Sequence, residues 1–329
     1  MPSPSPITVI YHADCLDGFG AAFAAWKRFG DNASYLPLHH GKYWDTTRLR
    51  GHQVFILDFS FPPPILLALS AIARQIILID HHVTARAPWA DRLQCDGNGL
   101  EQLVDHEQRL TLIFNLQKSG ARLAWEYFHP LLPLPLLLAH IEDQDLWHFS
   151  RADTRPFCRA LRLQAFDFAR WDLLLTETAD PALPSYRQMI LGGQAIENFL
   201  QCEVDRMVDG ALPMLARLRG EPLDMLQARR HGQDYIVQEA LQWHAIHGLA
   251  VNATALFASE LGHQLAQRSA TFGLIWQLTA DGDIKVSLRS NGPFDVAAIA
   301  QRYGGGGHRN AAGFRLPQAQ FMREVLGLR

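Results

Sequence analysis

Ile77-Leu78-Ile79-Asp80-His81-His82 is a wholly apolar run that stops at one carboxylate and two imidazoles. An apolar run this short fits a strand buried on both faces, as in a parallel sheet. In open α/β sheets, ligands bind just beyond the carboxyl ends of the strands. The Asp-His-His therefore puts a proton carrier and up to three metal ligands where such a fold does chemistry. On its own the triplet also fits a loop histidine held by a neighbouring aspartate.

Two βα units precede it. Ile7-Thr8-Val9-Ile10-Tyr11 is strand-like and runs into His12-Ala13-Asp14-Cys15-Leu16-Asp17-Gly18. Phe19 to Phe29 then has the apolar spacing of a helix, with small Gly20, Ala21 and Ala22 for close packing. Next, Val54-Phe55-Ile56-Leu57 is an apolar, β-rich run ended by Asp58. Phe59-Ser60-Phe61-Pro62-Pro63-Pro64 is its loop, with proline suited to a helix's first turn, and Ile65 to Ala73 is the helix. The opening strand then spans Gln75 to Ile79. Three strands in the first eighty residues thus end in Asp or His. Strand–helix alternation makes them parallel with right-handed crossovers, so their ends share one edge.

Downstream, Leu110 to Phe114 reads as a further strand and Ser119 as the N-cap of a helix. Pro133 to Ile141 reads as another helix, ending in the acidic stretch Glu142-Asp143-Gln144-Asp145. His12, Asp14, Asp17, Asp58, His81 and one of Asp143 or Asp145 suffice to hold two metal ions, with Asp58 the best candidate for a bridge. Four carboxylates packed together without cations would repel one another and raise their pKa values. Two divalent ions ~4 Å apart suit in-line attack at phosphorus. Mn²⁺ accepts this mix of imidazole and carboxylate, and Mg²⁺ or Co²⁺ also fits. No HExxH zinc motif and no Walker-type GxxxxGK[ST] is present.

In the C-terminal half, Pro184 to Asp209 reads as a connecting helix with an apolar stripe of Leu191, Ile196, Phe199, Leu200, Val204 and Met207 expected to pack. Strands follow at Leu249 to Val251, Phe272 to Leu278 and Ile284 to Leu288, with a helix at Ala255 to Gln267. Gly304-Gly305-Gly306-Gly307-His308-Arg309 then stands out. Glycine costs conformational entropy, so four in a row are read as backbone approaching a ligand rather than as packing. His308 and Arg309 add donors. Arg289, in Ser287-Leu288-Arg289-Ser290, suits a phosphate through its bidentate fork.

These motifs, in this order, resemble the DHH phosphoesterase superfamily over nearly the whole chain. The resemblance rests on His12-Ala-Asp14-Cys-Leu-Asp17-Gly18, the strand ending at Asp58, Asp80-His81-His82, Glu142-Asp143-Gln144-Asp145, and the GGGH motif of the DHH-associated C-terminal domain at Gly305-Gly306-Gly307-His308. It implies a parallel α/β domain and a smaller α/β domain, joined by a helix, with the active site in the cleft between. The domains would span 1–183 (catalytic, metal-binding), 184–212 (connecting helix) and 213–329 (substrate-binding).

The resemblance also implies one metal on His12, Asp14 and Asp58. A second would sit on Asp17, Asp58, His81 and an Asp of the fourth motif. Asp145 is preferred there because an aromatic, Phe149, follows four residues later; Asp143 and Asp80 are further candidates. His82 would face the substrate as an orienting group or proton donor, so His82, Asp58 and His81 form the catalytic set. Arg289, Ser290, Gly305, Gly306, Gly307, His308 and Arg309 would bind substrate. Many members have one residue between the two acidic positions of the first motif; here two separate Asp14 from Asp17.

Composition bounds the function. At 329 residues two domains are the default, and 48% apolar with 19% charged residues is globular. The net charge of −3 argues against a large duplex-coating surface. Four scattered cysteines, no CxxC and no signal peptide read as a reduced cytoplasmic protein. The longest apolar stretch, Leu131 to Ile141, is too short to span a bilayer, and the Met1–Pro6 start reads as a frayed terminus. The leading expectation is a metal-dependent phosphodiesterase acting on short single-stranded RNA or DNA or on dinucleotides such as pGpG and pApA, with a homodimer allowed for. Alternatives are a cyclic-dinucleotide phosphodiesterase, an inorganic polyphosphate or pyrophosphate hydrolase, and a binding protein with a degenerate site.

Overall fold

The computed structural model describes residues 6–39, 44–210, 212–222, 243–292 and 294–328, with the side chains of 221 and 222 excepted. The expected frayed start falls, apart from Pro6, outside them. The chain divides into two compact units, Met1–Asn198 and Phe199–Arg329.

The first unit is built on a seven-stranded sheet. Its strands are β1 (Ile7–His12), β2 (Ala33–Leu38), β3 (Gln53–Leu57), β4 (Gln75–Asp80), β5 (Gln94–Cys95), β6 (Glu101–Asp105) and β7 (Leu110–Phe114), in the order β2-β1-β3-β4-β7-β6-β5. The first five in that order are mutually parallel; β6 and β5 add antiparallel. Each apolar run alternates between two cores. Val9, Phe55, Leu57, Ile77 and Ile79 face one side, where helices α1 (Leu16–Phe29), α4 (Gly120–Phe128), α5 (Leu136–Asp145), α6 (Thr154–Leu161) and α7 (Phe168–Glu177) pack. Ile10, Val54, Ile56, Ile76 and Leu78 face the other, against α2 (Pro63–Ile72) and Trp89. A short helix, α3 (Val83–Arg86), follows His82.

From β1 the chain passes to β2 on one side and returns to β3 on the other. The strand order therefore reverses between β1 and β3, and such a switch point leaves a crevice at the strands' carboxyl ends. His12 and Asp58 stand on either side of it.

Four strands, not three, lie in the first eighty residues. The missed one, β2, carries Pro37, which cannot donate to a ladder and is tolerated at a sheet edge. The helix expected to end at Ile141 continues through the acidic stretch, as α5, to Asp145.

A 26-residue helix, α8 (Pro184–Asp209), runs across the division between the units. Leu200, Val204 and Val208 are buried, whereas Leu191 is 68% and Phe199 61% exposed. The expected stripe therefore packs only in its C-terminal part.

The second unit holds a six-stranded sheet in the order β12-β13-β11-β10-β9-β8. Its strands are β8 (Met214–Pro222), β9 (Trp243–Asn252), β10 (Phe272–Leu278), β11 (Asp283–Ser290), β12 (Gly306–His308) and β13 (Ala311–Pro317). Only the β9–β10 pair is parallel, crossed over by α9 (Ala258–Ser269). Helix α10 (Val296–Arg302) precedes the glycine run. Together the two units make a mixed α/β protein with a mainly parallel N-terminal sheet and a smaller C-terminal α/β unit.

Candidate metal centre

Side chains from four elements meet around one imidazole at the carboxyl edge of the first sheet. His81 Nε2 lies 3.2 Å from Asp58 Oδ1, 3.5 Å from Asp17 Oδ2 and 3.5 Å from Asp145 Oδ2. Asp58 sits just past β3 in the left-handed region (φ 48°). An Asp tolerates that conformation better than a β-branched residue, and such turns gather at functional sites. Asp58 Oδ2 also lies 3.9 Å from His12 Nδ1, on the far side of the switch point.

Asp17 reaches the cluster from the first turn of α1. Gly18 permits this, because a β-carbon there would lie 2.3 Å from the His12 carbonyl oxygen. One turn on, Gly20 packs against Ala121 of α4, where a β-carbon would approach to 2.9 Å. That close crossing brings Asp17 under the N-terminus of α4. Its Oδ2 accepts from Gly120 N (2.6 Å) and its Oδ1 from Ala121 N (2.9 Å). The positive end of a helix thus holds a buried carboxylate in place. Gly120 itself touches the site: a β-carbon there would meet Asp58 Cβ at 2.6 Å.

Asp80 plays another part. Its Oδ1 accepts from the backbone of His81 (2.7 Å) and from His82 Nδ1 (2.6 Å). Burial alone would raise its pKa, but the charge and hydrogen bond of His82 outweigh that and hold it at about 2. It therefore orients His82.

The electrostatics expose a shortage of positive charge. Burial, then the Asp17 charge, pushes the Asp58 carboxyl up to about 8. Burial and Asp17 push Asp145 up to about 6. Burial would depress His81, but its bond to Asp58 and the charges of Asp145, Asp17 and Asp58 raise it well above the usual histidine range. Burial, followed by the charges of Asp58, Asp145 and Asp17, raises the Cys15 thiol well above its ordinary value. Asp145 Oδ2 is buried and makes no hydrogen bond.

This donor set fits divalent cations. Carboxylates and an imidazole 3.2–3.5 Å apart match ligands sharing an ion through bonds of about 2.1 Å. Three sets within the first unit have their ligand atoms within 4.8 Å of one another: Asp17, His81 and Asp145; Asp58, Asp80, His81 and His82; and His12, Cys15 and Asp58.

Of the expected ligands, His12, Asp17, Asp58, His81 and Asp145 are brought together. Asp14 is not. It has φ 54°, its side chain is 81% exposed, and its carboxylate lies 3.4 Å from His39. Asp143 faces away: Oδ1 accepts from Ser150 N (2.8 Å) and Oγ (2.6 Å), and Oδ2 from Arg151 N (3.1 Å) and Thr154 Oγ (2.5 Å). Those bonds outweigh burial and hold it at about 2. Sequence reasoning did not assign Gly120, Ala121, Cys15 or His39. Only Ser119 gave a signal, as the cap of the helix that Gly120 begins.

In the second unit, His308 pairs with Ala311 and Ala311 with Arg289, so the two basic residues share a cross-strand row. Arg289 donates to Ser259 Oγ (3.0 Å) and Leu288 O (2.8 Å), and burial lowers its pKa to about 10. Ser290 is buried and donates to Phe294 O at 2.7 Å, so its hydroxyl is used within the fold. Two of the glycines also meet a packing need. A β-carbon at Gly305 would lie 2.0 Å from Gly313 O, and one at Gly307 (φ 140°) 2.5 Å from Ala311 O. Arg309 is exposed and its carbonyl accepts from Val296 N at 2.8 Å.

Residues 245–328, which include this row, match the DHHA1 domain. Asp80-His81-His82 stands at the edge of the first unit where the candidate ligands gather. The C-terminal unit thus carries a DHHA1 domain, which supports the DHH phosphoesterase superfamily for the chain. An uncharacterized protein of Acanthamoeba polyphaga mimivirus is 30% identical to this chain over 323 residues, covering 93% of this chain and 66% of that one. The chain therefore spans just under two thirds of that relative. Among solved structures, RecJ with Mn²⁺ from Thermus thermophilus is 15% identical with a TM-score of 0.43, covering 96% of this chain and 50% of that one. A pGpG-specific phosphodiesterase, PggH, from Vibrio cholerae is 13% identical with a TM-score of 0.38, covering 97% and 96%. Scores this low are likenesses only, and the fold stands on the strand order given above. No helix among the described residues is long and apolar enough to cross a membrane.

Proposed function

We propose that this protein is a DHH-type, metal-dependent phosphodiesterase that cuts very short single-stranded nucleic acids or dinucleotides of the pGpG or pApA type to mononucleotides in the cytoplasm. The observation that carries it is the ring of Asp17, Asp58 and Asp145 around His81 Nε2. Asp17, Asp58, His81 and Asp145 would hold one divalent ion, and His12 and Asp58 would contribute to another, Mn²⁺ first with Mg²⁺ or Co²⁺ as substitutes. Bound there, two such ions supply an activated water and offset charge growing on the phosphate. Asp58 would contribute to both sites. Gly120 and Ala121 keep Asp17 pointed inward. Asp80 holds His82 by Nδ1 and so orients the ring to give a proton to the departing oxygen. Burial would lower the His82 pKa, but Asp80 more than offsets this and raises it, which suits an acid. Arg289, His308 and Arg309 are assigned to substrate phosphate, with Gly305, Gly306, Gly307 and Ser290 shaping their loop.

One observation keeps a second reading, an inorganic polyphosphate or pyrophosphate hydrolase, in play. Tyr303 and Phe314 stack on each other, with centroids 4.4 Å apart, instead of presenting both rings to a base. The test is a Mn²⁺-supported assay comparing pGpG, pApA, a short oligoribonucleotide, a cyclic dinucleotide and short polyphosphate. Mononucleotide release from the linear substrates is expected. Turnover of polyphosphate alone would move the assignment to the second reading.

A further inference from the structure

Cys15 occupies the N-cap of α1, where Ser, Thr, Asp or Asn usually supplies an acceptor for the helix's open N–H groups. Its side chain makes no capping hydrogen bond. Instead the thiol lies with His12 and Asp58 in a group whose ligand atoms are all within 4.8 Å of one another. The neighbouring Asp14, expected at that place, projects outward to His39 and joins no such group among the described residues.

We propose that Cys15, and not Asp14, completes the ligand set of the ion held by His12 and Asp58. The inference rests on the two-ion reading above. The two ion positions then differ in kind. One offers sulfur, nitrogen and oxygen; the other, at Asp17, Asp58, His81 and Asp145, offers only nitrogen and oxygen. Sulfur and imidazole favour borderline ions such as Zn²⁺ or Co²⁺, whereas the carboxylate-rich position suits Mn²⁺ or Mg²⁺. As the metal–sulfur bond forms, the thiol proton passes to solvent.

The test is a cobalt(II) titration of the metal-free full chain, with bound metal counted by elemental analysis and near-ultraviolet absorption recorded. A thiolate-to-cobalt charge-transfer band is expected in the wild type and in Asp14→Ala. It should vanish in Cys15→Ser, whose first position should bind cobalt about tenfold more weakly or worse. Serine is a good N-cap, so this variant keeps the helix start. Two bound cobalt ions without the band, or a position lost in Asp14→Ala but kept in Cys15→Ser, overturns the thiolate assignment alone. A wild type that binds no cobalt overturns both it and the two-ion reading.

Discussion

The Asp58 carboxyl group fills the space into which a β-carbon on Gly120 would project, with Oδ1 only 2.9 Å from that point. A glycine in a helix ordinarily gains stability on replacement by alanine, by about 1 kcal/mol. Here the new methyl must displace Asp58, Asp17 or the start of α4. Gly120→Ala is expected to cost about 1–3 kcal/mol and to weaken divalent-ion binding as well. Gly192 in α8 meets nothing within 4 Å, so Gly192→Ala should be neutral or stabilising by up to about 1 kcal/mol. Urea unfolding with calorimetric Mn²⁺ titration of both variants reads the contrast.

Asp143 and Asp145 should separate cleanly. Asp143→Ala strips four acceptor contacts from a buried corner, and a loss of about 3 kcal/mol or more is expected. Asp145→Asn removes a carboxylate repelled by its neighbours, so the metal-free protein should melt no lower while Mn²⁺ affinity and turnover fall. Equal stability losses in the two would refute this division of labour.

Without metal, Asp58 has a folded pKa near 8 against an ordinary 3.8. The folded state holds that proton more tightly than the unfolded one. Its contribution is therefore intact below about 3.8 and is lost as pH rises through about 8. Thermal melts of metal-free protein should fall across that window, and Mn²⁺ should restore most of the loss at the alkaline end. Asp58→Asn should flatten the metal-free profile, abolish the Mn²⁺ response, and abolish turnover.

His140 gives an opposite signature in acid. It lies buried between Thr154 Oγ (3.0 Å) and Tyr186 Oη (3.0 Å), and burial pulls its pKa to about 4. The unfolded chain takes up a proton near 6.5 that the folded chain refuses until about 4. Stability is therefore complete above about 6.5 and declines as pH drops to about 4, by about 3 kcal/mol at most. Acid melts of His140→Gln against wild type, with Mn²⁺ held constant, check this; an unchanged slope between those pH values would count against it.

Much of the architecture was legible because the apolar runs are short, alternate between two cores, and end on Asp or His. The edge strand β2 was not, since Pro37 and mixed polarity hide its period. Asp143 and Asp145 could not be separated by sequence. They lie two residues apart on one helix, about 200° around its axis, so only packing tells which faces the site. The direction of Asp14 was not legible either: its carboxylate turns to His39, and residue type does not encode that. The packing role of the glycine run was hidden as well. Two of its members are demanded by the carbonyls of β13, a strand partner that appears only once the sheet is assembled.

Both rims of the seven-stranded sheet are guarded against a visiting strand. At one, Pro37 withholds a donor from the outer side of β2; at the other, β5 is only two residues long. Extension of this sheet by a neighbouring copy or a stray peptide is therefore discouraged at either margin, and any pairing of two copies through it must use its helices and loops.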